Sequence, residues 1–495
     1  MFWKDFDDSI PGACLTPGCP YPATTRCREC RGKEPVCERC TVRAHRNLPF
    51  HWIDVWNGAF FERRDLHDLG FVCYLGHHGD ACPHIPTGRP PIAFVIVHDN
   101  GVHHCSLHYC HCPRAREELS QLVRADLFPA TLERPETAFT CDVLERFHVD
   151  FDISKRSTQD FVRVLTSLSA CDKDTGDVKD RYRDFLLASR IYRYLTMCKR
   201  SGRRHGVVIP GRKDDDLTVP CLTCPIPAFN LPDDWENVPE HLGYLYRLNL
   251  CADGNYRLQK KSKPDDAADV ALSTGQGFFV PHSEMYDALK NNANEDDDLV
   301  SRTGIMCTGF KVIRSQRTAK FRFVDISGVL SFSCDHLHFR PGATVDLQTT
   351  ETWLHADFGL GGALRGTERL REIALSYDVI CSYICRILER FKTSHPTLLQ
   401  VVEQLKMLLP KLHMHAHKDL CQVVYAFCYA QGFGLAHGEG VETPWAELNS
   451  AGLSTREMSA GGRHDALNSL FNYWNWCKTV KMGTSSVAAI PERSC

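Results

Sequence analysis

Cysteines and histidines near the start of the chain have the spacing of zinc ligands. Zinc binds four sulfur or nitrogen atoms in a tetrahedron, and two ligands on one tight turn let a short chain supply both at once. Eight such residues form four successive pairs, namely Cys14, Cys19, Cys27, Cys30, Cys37, Cys40, His45 and His51. Because eight ligands fill two tetrahedral sites, the sequence predicts two zinc ions in this segment.

The order of these four pairs resembles the B-box zinc modules, whose ligand pairs interleave. The resemblance implies that the first and third pairs share one metal ion, and that the second and fourth pairs share the other. One ion is therefore assigned to Cys14, Cys19, Cys37 and Cys40, and the other to Cys27, Cys30, His45 and His51. The first pair departs from the common spacing, because four residues separate its two cysteines.

A second group of metal-binding residue types follows this module. It comprises Cys73, His77, His78, Cys82, His103, His104, Cys105, Cys110 and Cys112. Four of these residues are enough for one more zinc site, and we select Cys82, His103, Cys110 and Cys112. The pairing within the group is left open by the sequence.

Two further sets of metal-binding residue types lie beyond residue 200. His413, His417 and Cys421 are four residues apart and would share one face of a helix. A structural zinc ion is one hypothesis for this trio, and ordinary packing is the alternative. Cys221 and Cys224 could form another zinc knuckle, but the sequence offers no obvious partner pair.

Two carboxylates, Glu439 and Glu442, stand close together in the stretch "HGEGVETPWAEL". The first lies between two glycines and the second lies where a new helix is expected to begin. Taken alone, an acid at this position favours the positive end of the helix dipole. A purely structural role is therefore the simplest interpretation of the isolated stretch.

Composition indicates a globular protein of several domains. The chain has 495 residues, of which 43% are hydrophobic and 24% are charged. Its length exceeds what one core usually organises, and no apolar run reaches the ~20 residues of a membrane span. The N-terminus lacks the pattern of an export signal, so the 25 cysteines are expected to be reduced thiols and metal ligands.

The charge pattern restricts how the protein could bind nucleic acid. A net charge of -3 argues against a uniformly basic binder. Two local basic runs, Cys198 to His205 and Arg257 to Lys263, could contact phosphate, although solvated loops are the alternative.

Periodicity indicates which elements carry these residues. The segment Asp180 to His205 repeats apolar residues every three or four positions and predicts a helix with a basic end. Further predictions are a β-hairpin over 242–263 with its turn at Asp253 and Gly254, a short strand at 275–280, a strand running into a helix over 373–391, and a helix over 395–417. An α/β or α+β core is expected in the second half.

We expect four regions along the chain. These are a double zinc module at 1–60, a second cysteine and histidine cluster at 61–115, a helical region with the Cys-x-x-Cys pair at 116–235, and a catalytic-type core at 236–495. An insertion within the core, around 285–355, contains an acidic loop at 291–299.

Several stretches resemble one known family. "HRNLPFHWIDVWNGAFFERRDLHDLGFVCYLGH" and "CSLHYCHC" resemble the CxC-type cysteine cluster found upstream of KDZ (Kyakuja-Dileera-Zisupton) transposases in fungal genomes. Further similar motifs follow in order: "LFPATLERPETAFT", "CLTCPIPAFNLPDDW", "CADGNYRL", "VDLQTTETW", "SYDVIC", "HGEGVE", and "STREM" followed by "WNW". The resemblance therefore covers nearly the whole chain.

This resemblance implies a ribonuclease-H-like core in which two aspartates and one glutamate hold a pair of magnesium or manganese ions. By match to the motifs, the aspartates are Asp253 and Asp378, and the glutamate is Glu442 or, as the alternative, Glu439. The implied activity is metal-dependent cleavage and joining of DNA at transposon ends in the nucleus, without membrane contact. A homo-oligomer is compatible with this expectation.

The chain departs from the family pattern at several positions. Phe310 stands where a histidine is usual, His336 is displaced by one residue relative to Cys334, and His437 replaces an aspartate. These departures favour an alternative, a catalytically inactive, domesticated zinc-containing factor that binds DNA or protein. A B-box-like scaffold of the ubiquitin pathway is a further alternative that rests only on the N-terminal spacing.

Overall fold

The computed structural model of the protein describes residues 12–31, 34–170, 178–264, 269–281, 283–285, 323–348 and 351–488. Contacts divide the chain into two compact units, Met1–Ser189 and Arg190–Cys495. The four regions expected from the sequence are a finer division and stay a prediction. Phe310 and the acidic loop at 291–299 lie outside the described residues. Within the described part of the chain, no helix has both the length and the apolar character of a membrane span.

The N-terminal unit begins with a small three-stranded antiparallel sheet. Its strands, in spatial order, are β1 (Thr25–Cys27), β2 (Ile53–Trp56) and β3 (Phe61–Arg64), and helix α1 (Glu38–Ala44) follows β1 in the chain. The hydroxyls of Thr25 and Thr41 lie 2.6 Å apart and join the helix to the sheet. The buried core here is small, as is usual for modules that rely on metal ligands.

A five-stranded mixed sheet follows in the same unit. Its strands are β4 (Val72–Tyr74), β5 (Ile92–His98), β6 (Gly101–His108), β7 (Leu127–Pro129) and β8 (Thr137–Thr140), in the spatial order β4-β6-β5-β8-β7. The apolar run "IAFVIV" forms most of β5, with the side chains of Phe94 and Ile96 fully buried.

Helices complete the N-terminal unit and lead into the next one. They are α2 (Glu118–Arg124), α3 (Cys141–Ser154), α4 (Thr158–Ala170) and α5 (Tyr182–Arg200). The Thr140 hydroxyl caps α3 by accepting a hydrogen bond from the amide of Val143 at 3.2 Å. Helix α5 with its basic last turn matches the helix predicted over Asp180 to His205.

The C-terminal unit is built on a second five-stranded sheet. Its strands are β9 (Leu248–Asn255), β12 (Gly328–Cys334), β13 (Phe339–Leu347), β14 (Ile373–Tyr377) and β15 (Lys406–Leu408), in the spatial order β13-β12-β9-β14-β15. Strand β12 runs antiparallel to both of its neighbours, β13 and β9, whereas β9, β14 and β15 run parallel. A separate two-stranded ribbon pairs β10 (Lys260–Lys261) with β11 (Val324–Ile326).

Helices surround this sheet. They are α6 (Trp353–Leu364), α7 (Ile380–Tyr383), α8 (Ile387–Ser394), α9 (Leu399–Glu403), α10 (Asp419–Val424), α11 (Glu442–Leu448), α12 (Ala451–Thr455) and α13 (Ala460–Ala488). Helix α6 packs closely on β13 because it has glycine at the contact: a Cβ at Gly362 would overlap the carbonyl oxygen of Gly342.

Asparagines on helix α13 complete the hydrogen bonding of neighbouring backbone. Asn475 accepts from the amide of Phe339 at 2.9 Å and donates to the carbonyl of the same residue at 3.0 Å. Asn468 accepts from the amide of Phe278 at 2.8 Å. Since Phe339 begins the edge strand β13, these contacts satisfy polar groups that no further strand would pair.

Three predictions of local structure require correction. Asp253 and Gly254 do not form a hairpin turn but lie within β9, where Gly254 pairs with Leu330 of β12. The predicted helix over 395–417 is interrupted by β15, because the apolar run before Pro410 joins the sheet beside β14. The segment 275–280 is not a regular strand, although it lies along the edge of β13 through a bridge at Phe279 and three backbone hydrogen bonds to Gly342 and Thr344.

Candidate carboxylate site and metal centres

Carboxylates from three elements meet at the carboxyl ends of two parallel strands. Asp253 lies on β9 and Asp378 directly follows β14. Because Tyr377 pairs with Ala252, the two aspartates occupy the next positions of adjacent strands. Glu442 is the first residue of α11. Burial and the negative charges of Asp378 and Glu442 raise the pKa of Asp253 to about 8.

His413 and Glu439 border these three carboxylates. The Nε2 atom of His413 lies 3.3 Å from Oε1 of Glu442 and 3.9 Å from Oε2 of Glu439. Burial alone would lower the pKa of His413, but the hydrogen bond to Glu442 and the charges of Asp378 and Glu439 raise it overall. The structure thus brings all four predicted carboxylates to one place and adds a histidine that had been assigned to zinc.

The two glutamates differ in exposure. The side chain of Glu439 is only 10% exposed, and its Oε1 accepts a hydrogen bond from the amide of Leu412 at 2.6 Å. Burial raises the pKa of Glu439. The side chain of Glu442 is 50% exposed, and its charge is among those that act on Asp253. The side chain of Glu442 is therefore less restricted than that of Glu439.

Glycines explain how the loop carrying Glu439 reaches the sheet. Gly438 has a φ of +73°, and a Cβ there would overlap the hydroxyl of Ser376 and the ring of Phe427. The Ser376 hydroxyl donates to the carbonyl of Gly438 at 2.9 Å. His437 accepts from the amide of Glu439 through Nδ1 at 3.0 Å. An aspartate oxygen could accept the same bond, so the replacement at residue 437 preserves a loop contact.

The two N-terminal zinc-ligand sets come together as the B-box resemblance implies. Each set offers ligand atoms within 4.8 Å of one another, and the sets are Cys14, Cys19, Cys37 and Cys40, and Cys27, Cys30, His45 and His51. The Nδ1 atom of His45 bonds the carbonyl of Thr41 at 2.8 Å, which leaves Nε2 directed at Cys30 at 3.5 Å. Such a fixed ring orientation is typical of zinc ligands.

The third cluster has a different histidine from the predicted one. His77 joins Cys82, Cys110 and Cys112, and its Nε2 lies 3.3 Å from the sulfur of Cys110. His103 is not in this cluster because both of its ring nitrogens are engaged elsewhere. They lie 2.9 Å from Oδ1 of Asp65 and 2.8 Å from Oδ1 of Asn100.

A fourth cluster contains the partners of the Cys-x-x-Cys pair. Cys221 and Cys224 meet Cys334 and His336, with 3.6 Å between the Cys224 sulfur and Nδ1 of His336. The displacement of His336 relative to the family pattern therefore does not remove it from the cluster. The sequence indicates the pair Cys221 and Cys224 but not its partners, because Cys334 and His336 lie on the other side of β9 in the chain.

The fifth cluster revises the predicted trio of His413, His417 and Cys421. Cys381 takes the place of His413, and its sulfur lies 3.4 Å from Nδ1 of His417. The predicted residues are not on one continuous helix, because α10 begins only at Asp419. His413 turns to the carboxylates instead.

These five clusters are compatible with structural zinc. Thiolate and imidazole are the ligands that zinc prefers, and four of the clusters offer four ligands each. Carboxylate oxygen suits magnesium or manganese instead. The chemistry of the donor atoms therefore separates the zinc-type clusters from the carboxylate site.

A mixed α/β unit with clustered carboxylates, together with several cysteine and histidine clusters compatible with structural zinc, defines a class of proteins with candidate metal centres of two chemical types. Comparison with known families gives two matches. Residues 246–475 match the family model of the Kyakuja-Dileera-Zisupton transposase. Residues 66–172 match that of the CxC2-like cysteine cluster associated with KDZ transposases.

The two matches support the KDZ family. The transposase match contains all four carboxylates, and the cysteine-cluster match contains the third metal cluster. The two N-terminal ligand sets precede both matched ranges. No curated protein and no solved structure matches the chain.

Proposed function

We propose that the protein is a KDZ-type transposase, or a derivative of one, that cleaves and joins DNA strands with two divalent metal ions. The observation that carries this proposal is the meeting of Asp253, Asp378 and Glu442 at adjacent strand ends. Burial, together with repulsion from Asp378 and Glu442, raises the pKa of Asp253, and a cation bound at this site would lower it again. The family matches support the same interpretation.

The sheet topology supports a ribonuclease-H-like core. Numbered along the chain within this sheet, the five strands stand in the order 3-2-1-4-5, with the first three antiparallel and the last two parallel to the first. This order and these strand directions support the ribonuclease-H-like core that the family resemblance implies. It brings the ends of strands 1 and 4 together, where the two aspartates lie.

Each residue of the site has a role in this proposal. Asp253 and Asp378 would hold magnesium or manganese, and Glu442 would complete the ligand set. When bound, such ions would activate the attacking oxygen and stabilise the leaving oxygen. His413 would orient Glu442 through its 3.3 Å contact, while Glu439 would hold the loop through Leu412.

A second candidate is a catalytically inactive factor that binds DNA or protein through its zinc clusters. The contact of His413 with Glu442 favours it, since a protonated imidazole could neutralise carboxylates without a metal ion. His437 in place of the usual aspartate favours it as well. Nuclear action is part of both candidates.

Strand cleavage by the zinc-loaded full chain tests the proposal. Duplexes carrying the ends of its own element would be incubated with manganese, and nicked and joined products resolved. Asp378→Asn should reduce cleavage at least 100-fold, because it removes a charged ligand, while zinc content stays unchanged. Glu240→Gln, at an exposed carboxylate outside the site, should cleave as the wild type does.

Two matched variants distinguish the glutamates. Glu442→Gln should lose as much activity as Asp378→Asn, whereas Glu439→Gln should lose less because its carboxylate serves the loop. Cleavage that persists in Asp378→Asn would remove this residue from the mechanism. A wild-type chain that binds the duplexes but never cuts them would favour the inactive factor.

A further inference from the structure

A groove in the N-terminal unit lies beside the second and third cysteine and histidine clusters. It has a volume of about 880 Å³. His51 of the second cluster and His77 and Cys110 of the third contribute to its walls. Apolar side chains, including those of Phe50 and Leu75, also line it. Two candidate zinc sites thus help to shape one cavity.

Arginine side chains dominate the charge of this groove. Arg46, Arg114, Arg116 and Arg124 line it, against two carboxylates, Asp126 and Asp142. Arg114, Arg116 and Arg124 are exposed. Among the described residues, none of these three guanidinium groups has a hydrogen bond or an ion pair. Unpaired arginines in one concave surface indicate an anionic ligand, since a guanidinium group offers several donors in a plane.

The fourth arginine fixes the wall of the groove. Arg46 donates to the carbonyl of His78 at 3.0 Å and pairs with Asp80 at 2.7 Å. Gly76 and Gly79 allow this loop its positive φ angles of +83° and +84°. The groove is therefore held in shape by backbone contacts, and the three other arginines are left available.

The basic runs identified in the sequence differ from this groove. Arg203 pairs with Asp214, Lys260 with Asp325, and Lys261 with Glu457. Acidic neighbours thus neutralise one arginine of the first run and three lysines of the second, Lys263 included. A charge count along the sequence could not reveal this, because most of the compensating acids lie far away in the chain.

We propose that this groove, here called the arginine groove, binds the phosphate backbone of duplex DNA. This inference rests on the proposed function, in which DNA is the substrate. It adds the surface of the N-terminal unit that would hold the DNA. Arginine matches phosphate oxygens through two parallel hydrogen bonds. Contacts of this kind position a duplex without reading its sequence.

The test measures binding alone, in the Asp378→Asn background, so that no duplex is cut. A labelled duplex is titrated at several salt concentrations with the full chain and with the combined variant Arg114→Gln, Arg116→Gln and Arg124→Gln. We expect the Kd to rise at least 10-fold. Because each lost phosphate contact changes the slope of log K against log salt by about 0.9, the slope should become shallower by about 2 to 3.

The control variant removes the same charge elsewhere in the unit. Arg43→Gln, Arg89→Gln and Arg183→Gln replace exposed arginines outside the groove and should leave the Kd and the slope almost unchanged. Zinc content and circular dichroism establish that both variants fold. Should the combined variant misfold, Arg124→Gln alone is used, with an expected slope change of about 1.

Several outcomes would overturn the proposal. One is an unchanged Kd and slope in the groove variant, and another is an equal loss in the control variant. A third is a loss of affinity for single-stranded RNA or polyglutamate with duplex binding intact. The test measures binding and not cleavage. If the wild-type chain proves unable to cut DNA, a loss of duplex binding in the groove variant still supports DNA binding by the arginine groove.

Discussion

At the residue scale, the chemistry of the site depends on neighbours that the sequence does not show. Asp253 before a glycine has the local pattern of a turn residue, and only its place in β9 makes it a partner of Asp378. His103 has the right type for a metal ligand, yet Asp65 and Asn100 use both of its nitrogens. Residue type and spacing therefore predict candidates, while tertiary contacts select among them.

The raised pKa of Asp253 predicts that this carboxylate destabilises the metal-free fold. Its folded pKa of about 8 exceeds the ordinary value of 3.8. The folded state favours the protonated form of Asp253. The stability that depends on this form is therefore fully present below about pH 4 and is lost as the pH rises to about 8. Asp253→Asn should be more stable than the wild type at pH 8 by roughly 1 to 3 kcal/mol, a range reduced for solvent screening because Asp253 as a residue has intermediate exposure.

Urea unfolding of zinc-loaded protein between pH 5 and 8.5, without magnesium or manganese, measures this difference. The advantage of the variant should grow with pH and should shrink when manganese is added, because the cation stabilises only the wild-type carboxylate cluster. Glu240→Gln should show no such growth. A wild type that is more stable than Asp253→Asn at pH 8 without metal would contradict the expectation.

At the element scale, elements with strong local patterns were predicted well. The amphipathic helix near Tyr182–Arg200 and the strand Ile373–Tyr377 both agree with the structure, whereas the helix expected after this strand is divided into α7 and α8 at Arg386. The hairpin at Asp253 and the helix over 395–417 were wrong. In both cases a distant partner decides the conformation, since Gly254 pairs with β12 and β15 joins β14.

The fourth cluster predicts that a metal ion ties the Cys-x-x-Cys segment to the end of β12. Cys334→Ser should lose one zinc equivalent, because it removes one of four ligands around a fully buried position. Thermal unfolding should occur several degrees lower, as expected when a structural zinc site is lost. Zinc analysis together with calorimetry measures both effects.

Cys428→Ser is the matched control, since Cys428 is an exposed cysteine outside the clusters. It should retain the zinc content and the melting temperature of the wild type. If Cys334→Ser also retained all of its zinc, the four residues would have to be regarded as ordinary core packing.

At the scale of the whole molecule, zinc ligands close in the chain were easier to predict than ligands far apart. Both N-terminal sets follow from pairs within about 40 residues, and their interleaving follows from a resemblance. The partners of Cys221 and Cys224 could not be predicted, and neither could Cys381 as a ligand. In both cases strands of the sheet separate the ligands along the chain. Topology, which no local pattern contains, decides these sites.

The purified chain should contain four to five zinc equivalents, one for each four-ligand cluster and a variable fifth at the three-ligand Cys381 cluster. A strong chelator should remove zinc and lower the melting temperature, since thiolate and imidazole ligands are left without their cation. Atomic emission and calorimetry before and after chelation check this. Two equivalents or fewer would contradict the assignment of the clusters beyond the N-terminal sets.

The position of β9 has a consequence for the order in which the protein acquires its structure. This central strand is made before either neighbour, since β12 begins at Gly328 and β14 at Ile373. During synthesis one edge stays unpaired until β12, which begins 73 residues after β9 ends, has emerged, and the other edge waits for β14, which begins 118 residues after β9 ends. Pairings between distant segments form slowly, and exposed edges invite aggregation. The N-terminal unit can complete its own sheets earlier, so recombinant yield should depend on chaperones that protect the C-terminal unit.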